Sequence, residues 1–307
     1  MLRPMRVFRH IDLLRKAFWR GARQHGIFMH AKGAAYSSIL TFFPALLIVA
    51  WLLVETGLSR IFFQQIETTL RTVMPPGSTS TALSYFTSSH QRPIKEIIST
   101  TFATLFAATG VMISWMTAFR AAYGMSENPW SFWRERGVSL LLVVLGAAPM
   151  AFAMALIAFG NQIELWLAMH LWIAQFWILL LWTGFRWLVA FLTSVTSIML
   201  IYHFGLPRVQ PWYRVVPGAI AATLMWFPLT LAFGFYVTNY ATYNTIYGPL
   251  GAGIALLVWL YLVSITILVG AEYNALIYPR QVPTQQQDER RVTDRRKGDR
   301  RAASTTA

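Results

Sequence analysis

Glu272 is the ionisable residue whose position could do the most chemistry. It closes an apolar run from Leu250 to Ala271 and stands two residues before Asn274. A carboxylate at the end of such a run is a candidate for proton coupling or for holding a cationic group. A structural alternative is an ion pair with a basic residue such as Arg134, which would tie helix ends together at headgroup level. A second polar group lies in another apolar run, where Tyr36, Ser37, Ser38 and Thr41 precede Pro44. Hydroxyls there can line a polar path, since the proline frees a carbonyl and bends a helix. They can equally serve close helix packing. Tyr243, Asn244, Tyr247, Gly248, Gly251 and Gly253 cluster just before or at the start of the last run, where a gate, a headgroup-binding turn or a simple tight turn would fit.

Catalytic chemistry has little to work with. The chain has no cysteine, which excludes disulfides, thiolate metal sites and a cysteine nucleophile. A metal-dependent nuclease needs clustered ligands, but His10, His25, His30, His90, His170 and His203 are scattered. No Gly-rich phosphate loop or Ser-His-Asp arrangement stands out. The expectation is therefore no catalytic residues, no metal and no cofactor, with any active transport driven by an ion gradient or another protein.

The elements that must position these residues follow from composition. Of 307 residues, 56% are apolar and only 12% charged, and mean hydropathy is +0.47. Soluble domains carry about a quarter charged residues, so lipid must solvate much of this chain. The fold class expected is an all-α integral membrane protein, a bundle of about six transmembrane helices with an N-terminal amphipathic interfacial helix. Spans are expected at about 34–54, 97–119, 138–160, 184–204, 215–237 and 250–273, each near the roughly 20 residues a helix needs to cross. Residues 1–33 form a cytoplasmic amphipathic segment, 34–278 the membrane domain with an outer loop at 55–96, and 279–307 a basic, disordered tail. No cleavable signal peptide is expected.

The run from Leu165 to Phe204 is long enough for two spans with a turn at Thr183-Gly184, which would make seven. Positive charge decides against that. With six spans, twenty-one Lys and Arg fall on the side of the termini and four on the other. Glu164 to Leu181 then becomes an interfacial helix rich in tryptophan, and Arg186 sits near the outer end of the fourth span, where it can snorkel. Before the first span, Phe8, Ile11, Leu14, Phe18 and Ala22 recur on one helical face, opposite Arg9, Asp12, Lys16, Arg20 and Arg23. The net charge of +14 is concentrated in tails and loops. That suits helix orientation and anionic headgroups, with Arg134 and Arg136 as headgroup-binding candidates, better than it suits nucleic acid.

The last run carries a motif. Tyr247-Gly248-Pro249-Leu250-Gly251, then Trp259-Leu260-Tyr261, then Gly270-Ala271-Glu272-Tyr273-Asn274 closely resembles the signature of the YihY/BrkB family of bacterial inner-membrane proteins. Ala34-Ala35-Tyr36, Thr41-Phe42-Phe43-Pro44, Ala122-Tyr123-Gly124, Trp133-Arg134-Glu135-Arg136 and Pro217-Gly218-Ala219 are similar to other parts of it, so the likeness covers roughly residues 10–278. Pro249 and Thr41 depart from its usual residues. The resemblance implies a six-helix bundle with cytoplasmic termini and a transporter or flippase-like protein acting on a lipid or amphiphile. Its candidate path or coupling residues are Glu272, Asn274, Tyr36, Ser37, Thr41, Tyr247 and Arg186. Membrane lipids are the expected partners, and a homo-oligomer is compatible with the sequence. The alternative is a membrane scaffold or accessory subunit that works through its N-terminal helix, outer loop and tail. An older ribonuclease label for the family finds no ligand cluster here to support it.

Overall fold

The computed structural model describes residues 4–55, 94–125, 128–149, 152, 175–239 and 249–279. Among these, the regular elements are all helical. They are α1 (Pro4–Gln24), α2 (Ile27–Glu55), α3 (Ile94–Ala122), α4 (132–149), α5 (Gln175–Phe204), α6 (Trp212–Asn239) and α7 (Pro249–Ile277). The chain is an all-α membrane protein. Among the described residues, Lys95–Ala122, Gly184–Phe204, Trp212–Val237 and Gly253–Ile277 are long and apolar enough to cross a bilayer. Most of the expected outer loop, Tyr243 to Gly248 and nearly all of the tail lie outside the described residues.

One helix reaches further than expected. Helix α5 begins at Gln175 and runs unbroken through Thr183-Gly184 to Phe204, and the apolar span within it is Gly184–Phe204. A mid-helix glycine costs only about 1 kcal/mol against alanine, too little to break a run of Trp, Leu and Phe residues. Residues 175–181, expected in a separate interfacial helix, belong to the same rod.

Helix α1 is amphipathic, but its buried face is rotated from the expected one. Ala17 is buried and Leu13, Leu14 and Phe18 pack on the core, whereas Ile11 is 58% exposed. Asp12 pairs with Arg15 and Lys16 on the solvent side, and the Lys16 ammonium holds its carboxyl below the usual carboxylate range. His10 and His25 stand fifteen positions apart, about 22 Å along a helix. Yet His10 Nδ1 is hydrogen-bonded to Tyr273, 2.6 Å from its hydroxyl, while His25 reaches Glu272. Helix α1 must therefore lie across the end of α7 rather than along it.

Two glycines shape this end of the bundle. Gly26, at φ 60°, turns the chain from α1 into α2, and Gly124, at φ 66°, ends α3. These left-handed values suit a residue without Cβ. At the second, the Gly124 N–H donates to Ala121 O at 3.0 Å and Met125 N–H to Arg120 O at 2.9 Å, the paired bonds of a Schellman stop. The next carbonyl, Ala122 O, accepts from Arg20 Nη2 at 3.3 Å, so α1 also caps α3.

Helices α2 and α3 meet through small residues. A Cβ on Gly33 would lie 3.3 Å from Ser114 Oγ, and one on Gly110 would lie 2.8 Å from Ser37 Oγ. Each helix thus offers a glycine and a serine one turn apart, matched reciprocally to the other. Close backbone approach of this kind holds membrane helices together where the hydrophobic effect cannot.

Candidate functional site

The last two turns of α7 carry the site. On one face is Glu272, 1% exposed. His25 Nδ1 is hydrogen-bonded to the Glu272 Oε1. Its Oε2 has no hydrogen-bond donor, and Arg20 Nε stands 3.9 Å away. Both partners come from the end of α1, which can close on α7 because residue 21 is glycine. A Cβ there would lie 2.8 Å from Ile27 Cγ2 and 3.1 Å from Glu272 Cγ. A buried carboxylate is tolerable only with compensating charge and hydrogen bonds, and here one oxygen has the hydrogen bond while the other has the nearby charge. Tyr123 lies in the same electrostatic neighbourhood. Burial pushes its phenol well above the ordinary tyrosine range, while Arg214 opposes the shift and Glu272 adds to it. It remains a neutral hydroxyl beside the charged cluster.

On the other face is Asn274, wholly buried. Its Oδ1 accepts from the Gly218 N–H at 2.6 Å and its Nδ2 donates to Val215 O at 3.1 Å. Pro217, which has no N–H of its own, stands between the two groups that Asn274 binds. The helices touch backbone to backbone here. A Cβ on Gly218 would stand 2.2 Å from Gly270 O, and one on Gly270 would stand 2.6 Å from Gly218 O and 2.5 Å from Tyr202 Oη. The Tyr202 hydroxyl donates to Ile267 O and so adds α5 to the seam.

The structure brings together fewer of the expected residues than the sequence grouped. Glu272 and Asn274 are neighbours on α7 that face different partners. The partners of Glu272 are His25 and Arg20, not Arg134, which is exposed at the start of α4. Tyr36 is 64% exposed on the outer surface of α2, away from any interior path. Ser37 packs on Gly110, and the Thr41 hydroxyl donates to Ser37 O at 2.7 Å. The Thr41 hydroxyl is thus satisfied within its own helix, and Ser37 lies at the contact with α3. Arg186 is half-buried in α5, far along the chain from the Glu272 cluster, and Tyr247 lies outside the described residues.

Arg136 is partly buried. Its Nη1 donates to Thr109 Oγ1 at 2.5 Å, and its guanidinium lies 4.6 Å from the Phe106 ring centre and 5.5 Å from that of Phe132. Arg120, which the sequence did not single out, anchors the α3–α4 connection through Glu135 at 2.8 Å, Asn128 at 3.2 Å and Thr117 at 2.8 Å. Arg20, His25 and Gly218 were also missed as site residues. Their only sequence signals are the basic face of α1 and the Pro217-Gly218 pair.

Long apolar helices closed at one end around a buried carboxylate define a polytopic helical membrane protein. More narrowly, the family model described as Virulence factor BrkB matches residues 18–295, and the chain belongs to that family. A UPF0761 membrane protein of Tolumonas auensis is 27% identical over 267 residues, covering 85% of this chain and 83% of its own length. The ribonuclease-like protein YfkH of Bacillus subtilis is 32% identical over 179 residues, covering 58% of this chain and 64% of its own length. The UPF0761 membrane protein XAC0937 of Xanthomonas axonopodis pv. citri is 30% identical over 141 residues, which is 46% of this chain but only 30% of that protein. No protein of solved structure matches the chain.

Proposed function

We propose that the chain is a transporter or flippase-like protein of the bacterial inner membrane, not an enzyme, that moves a lipid or other amphiphile. Its N- and C-terminal segments lie in the cytoplasm, where the basic residues gather anionic headgroups. The observation that carries the proposal is the carboxylate of Glu272, buried in a membrane bundle and held by Arg20 of α1 and His25 of the turn that follows it. An intramembrane charge with detachable partners is suited to binding and releasing a proton or a cationic group during a cycle. The family assignment and the membrane-protein names of its relatives support the setting; the ribonuclease-like name is that of YfkH.

Transbilayer movement of labelled anionic phospholipid in proteoliposomes tests it, with the wild type compared with Glu272→Gln. Movement above empty liposomes, cut at least about tenfold in the variant, is the expected result; a tenfold change corresponds to about 1.4 kcal/mol. No movement by the wild type, with or without a proton gradient, would remove lipid transport and turn attention to a scaffold role.

A further inference from the structure

The guanidinium of Arg136 sits at an unusual depth for an arginine. Its partner Thr109 lies near the middle of the candidate span Lys95–Ala122. Arginine carries five N–H donors, and here one of them, on Nη1, has a protein acceptor. Nε is buried without a partner. Among the described residues no carboxylate pairs with this charge, because the adjacent Glu135 is committed to Arg120. The flanking rings face outward: Phe106 is 58% exposed and Phe132 62% exposed. In a bilayer, such exposed apolar surface meets lipid, and a lone cation beside it is expensive unless an anion arrives from outside the protein.

We infer that Arg136, with Thr109 and the rings of Phe106 and Phe132, forms a binding site for the phosphate of an anionic lipid that enters between α3 and α4 from the membrane. The free Nη2 edge of the guanidinium takes the phosphate oxygens, since guanidinium and phosphate match in geometry and charge. The Thr109 hydroxyl fixes the other edge, and the two rings flank the glycerol and the start of the acyl chains. The site names a substrate class for the transport proposed above and rests on that proposal for its role in a cycle, but binding is measurable alone. Arg208 is the internal control, because it is exposed in the connection between α5 and α6; simple surface attraction would involve it equally.

Native mass spectrometry of the full chain with phosphatidylglycerol and phosphatidylcholine tests the site. The wild type is expected to retain phosphatidylglycerol in preference, Arg136→Gln to weaken retention about tenfold, and Arg208→Gln to leave it within about twofold. Equal retention by the wild type and Arg136→Gln overturns the inference, as does equal loss in the two arginine variants. Glycerol phosphate that competes at matched concentration assigns the site to a soluble phosphate and overturns the lipid. Should Arg136→Gln fail to fold, a photo-crosslinking residue at Phe132 reads the same contact with the arginine intact. Lipid adducts support the site, and protein adducts alone sink it. A chain that holds lipid but moves none refutes the transport and keeps the site.

Discussion

The two faces of Gly270–Asn274 hold their neighbours by opposite means. Toward α6, Gly270 and Asn274 make a seam in which backbones touch and the buried amide is bonded at both ends. Toward α1, Glu272 makes a charged junction in which one oxygen lacks a hydrogen bond and the nearest cation stands 3.9 Å away. The seam depends on the absence of atoms, the junction on the presence of charge. Packing without slack resists separation at any ionisation state. A junction of titratable groups can be opened by a proton, a competing ion or a partner without disturbing the helices that carry it.

Substitutions should separate the two. Gly218→Ala has the largest expected effect, because its Cβ would fall 2.2 Å from the rigid carbonyl of Gly270. A loss of at least about 3 kcal/mol is expected for overpacking against backbone, read as a lower thermal midpoint in detergent; an unchanged midpoint would mean the seam has slack. Asn274→Leu preserves size but strands the Gly218 N–H and the Val215 carbonyl, at an expected cost of about 2 kcal/mol, and the variant should unfold at a lower denaturant concentration. Glu272→Gln should change global stability least, by about 1 kcal/mol or less, since it removes the buried charge and leaves partly exposed partners that water can solvate. It should nonetheless quicken trypsin cleavage within α1, at Arg15, Lys16, Arg20 or Arg23, about fivefold. If α1 is cut no faster, the junction is as fixed as the seam and the contrast between them fails.

The helices were largely readable because lipid-facing runs leave a strong apolar signal, and the basic face of α1 was readable from its spacing. The sequence also flagged Glu272 and Asn274, but not what they touch. His25 is 247 positions away from Glu272 and sits in a turn made by Gly26, so no local pattern links the two. Arg134 was the nearer guess because it lies in a basic loop, but the crossing of α1 over α7 brings Arg20 in first. The span from Gly184 was legible, but the continuation of its helix back to Gln175 was not: a threonine and a glycine are weak helix formers, and flanking tryptophans and leucines outweigh them. The serines of α2 could be read for a path or for packing, with packing the commoner role in membranes, and the opposing Gly110 of α3 supplies Ser37 with a packing partner.

Those serines have one more consequence. If α2 slid past α3 by one turn, about 5.4 Å, Ser37 would meet Ser114 in one direction and Gly33 would face Gly110 across a void in the other. A one-turn slide would therefore forfeit both matched contacts, so the pair is keyed to the register it holds. Between Gly33 and Ser37 on one helix and Gly110 and Ser114 on the other, the fit resists shear, and Pro44 further along α2 is the place where that helix can bend.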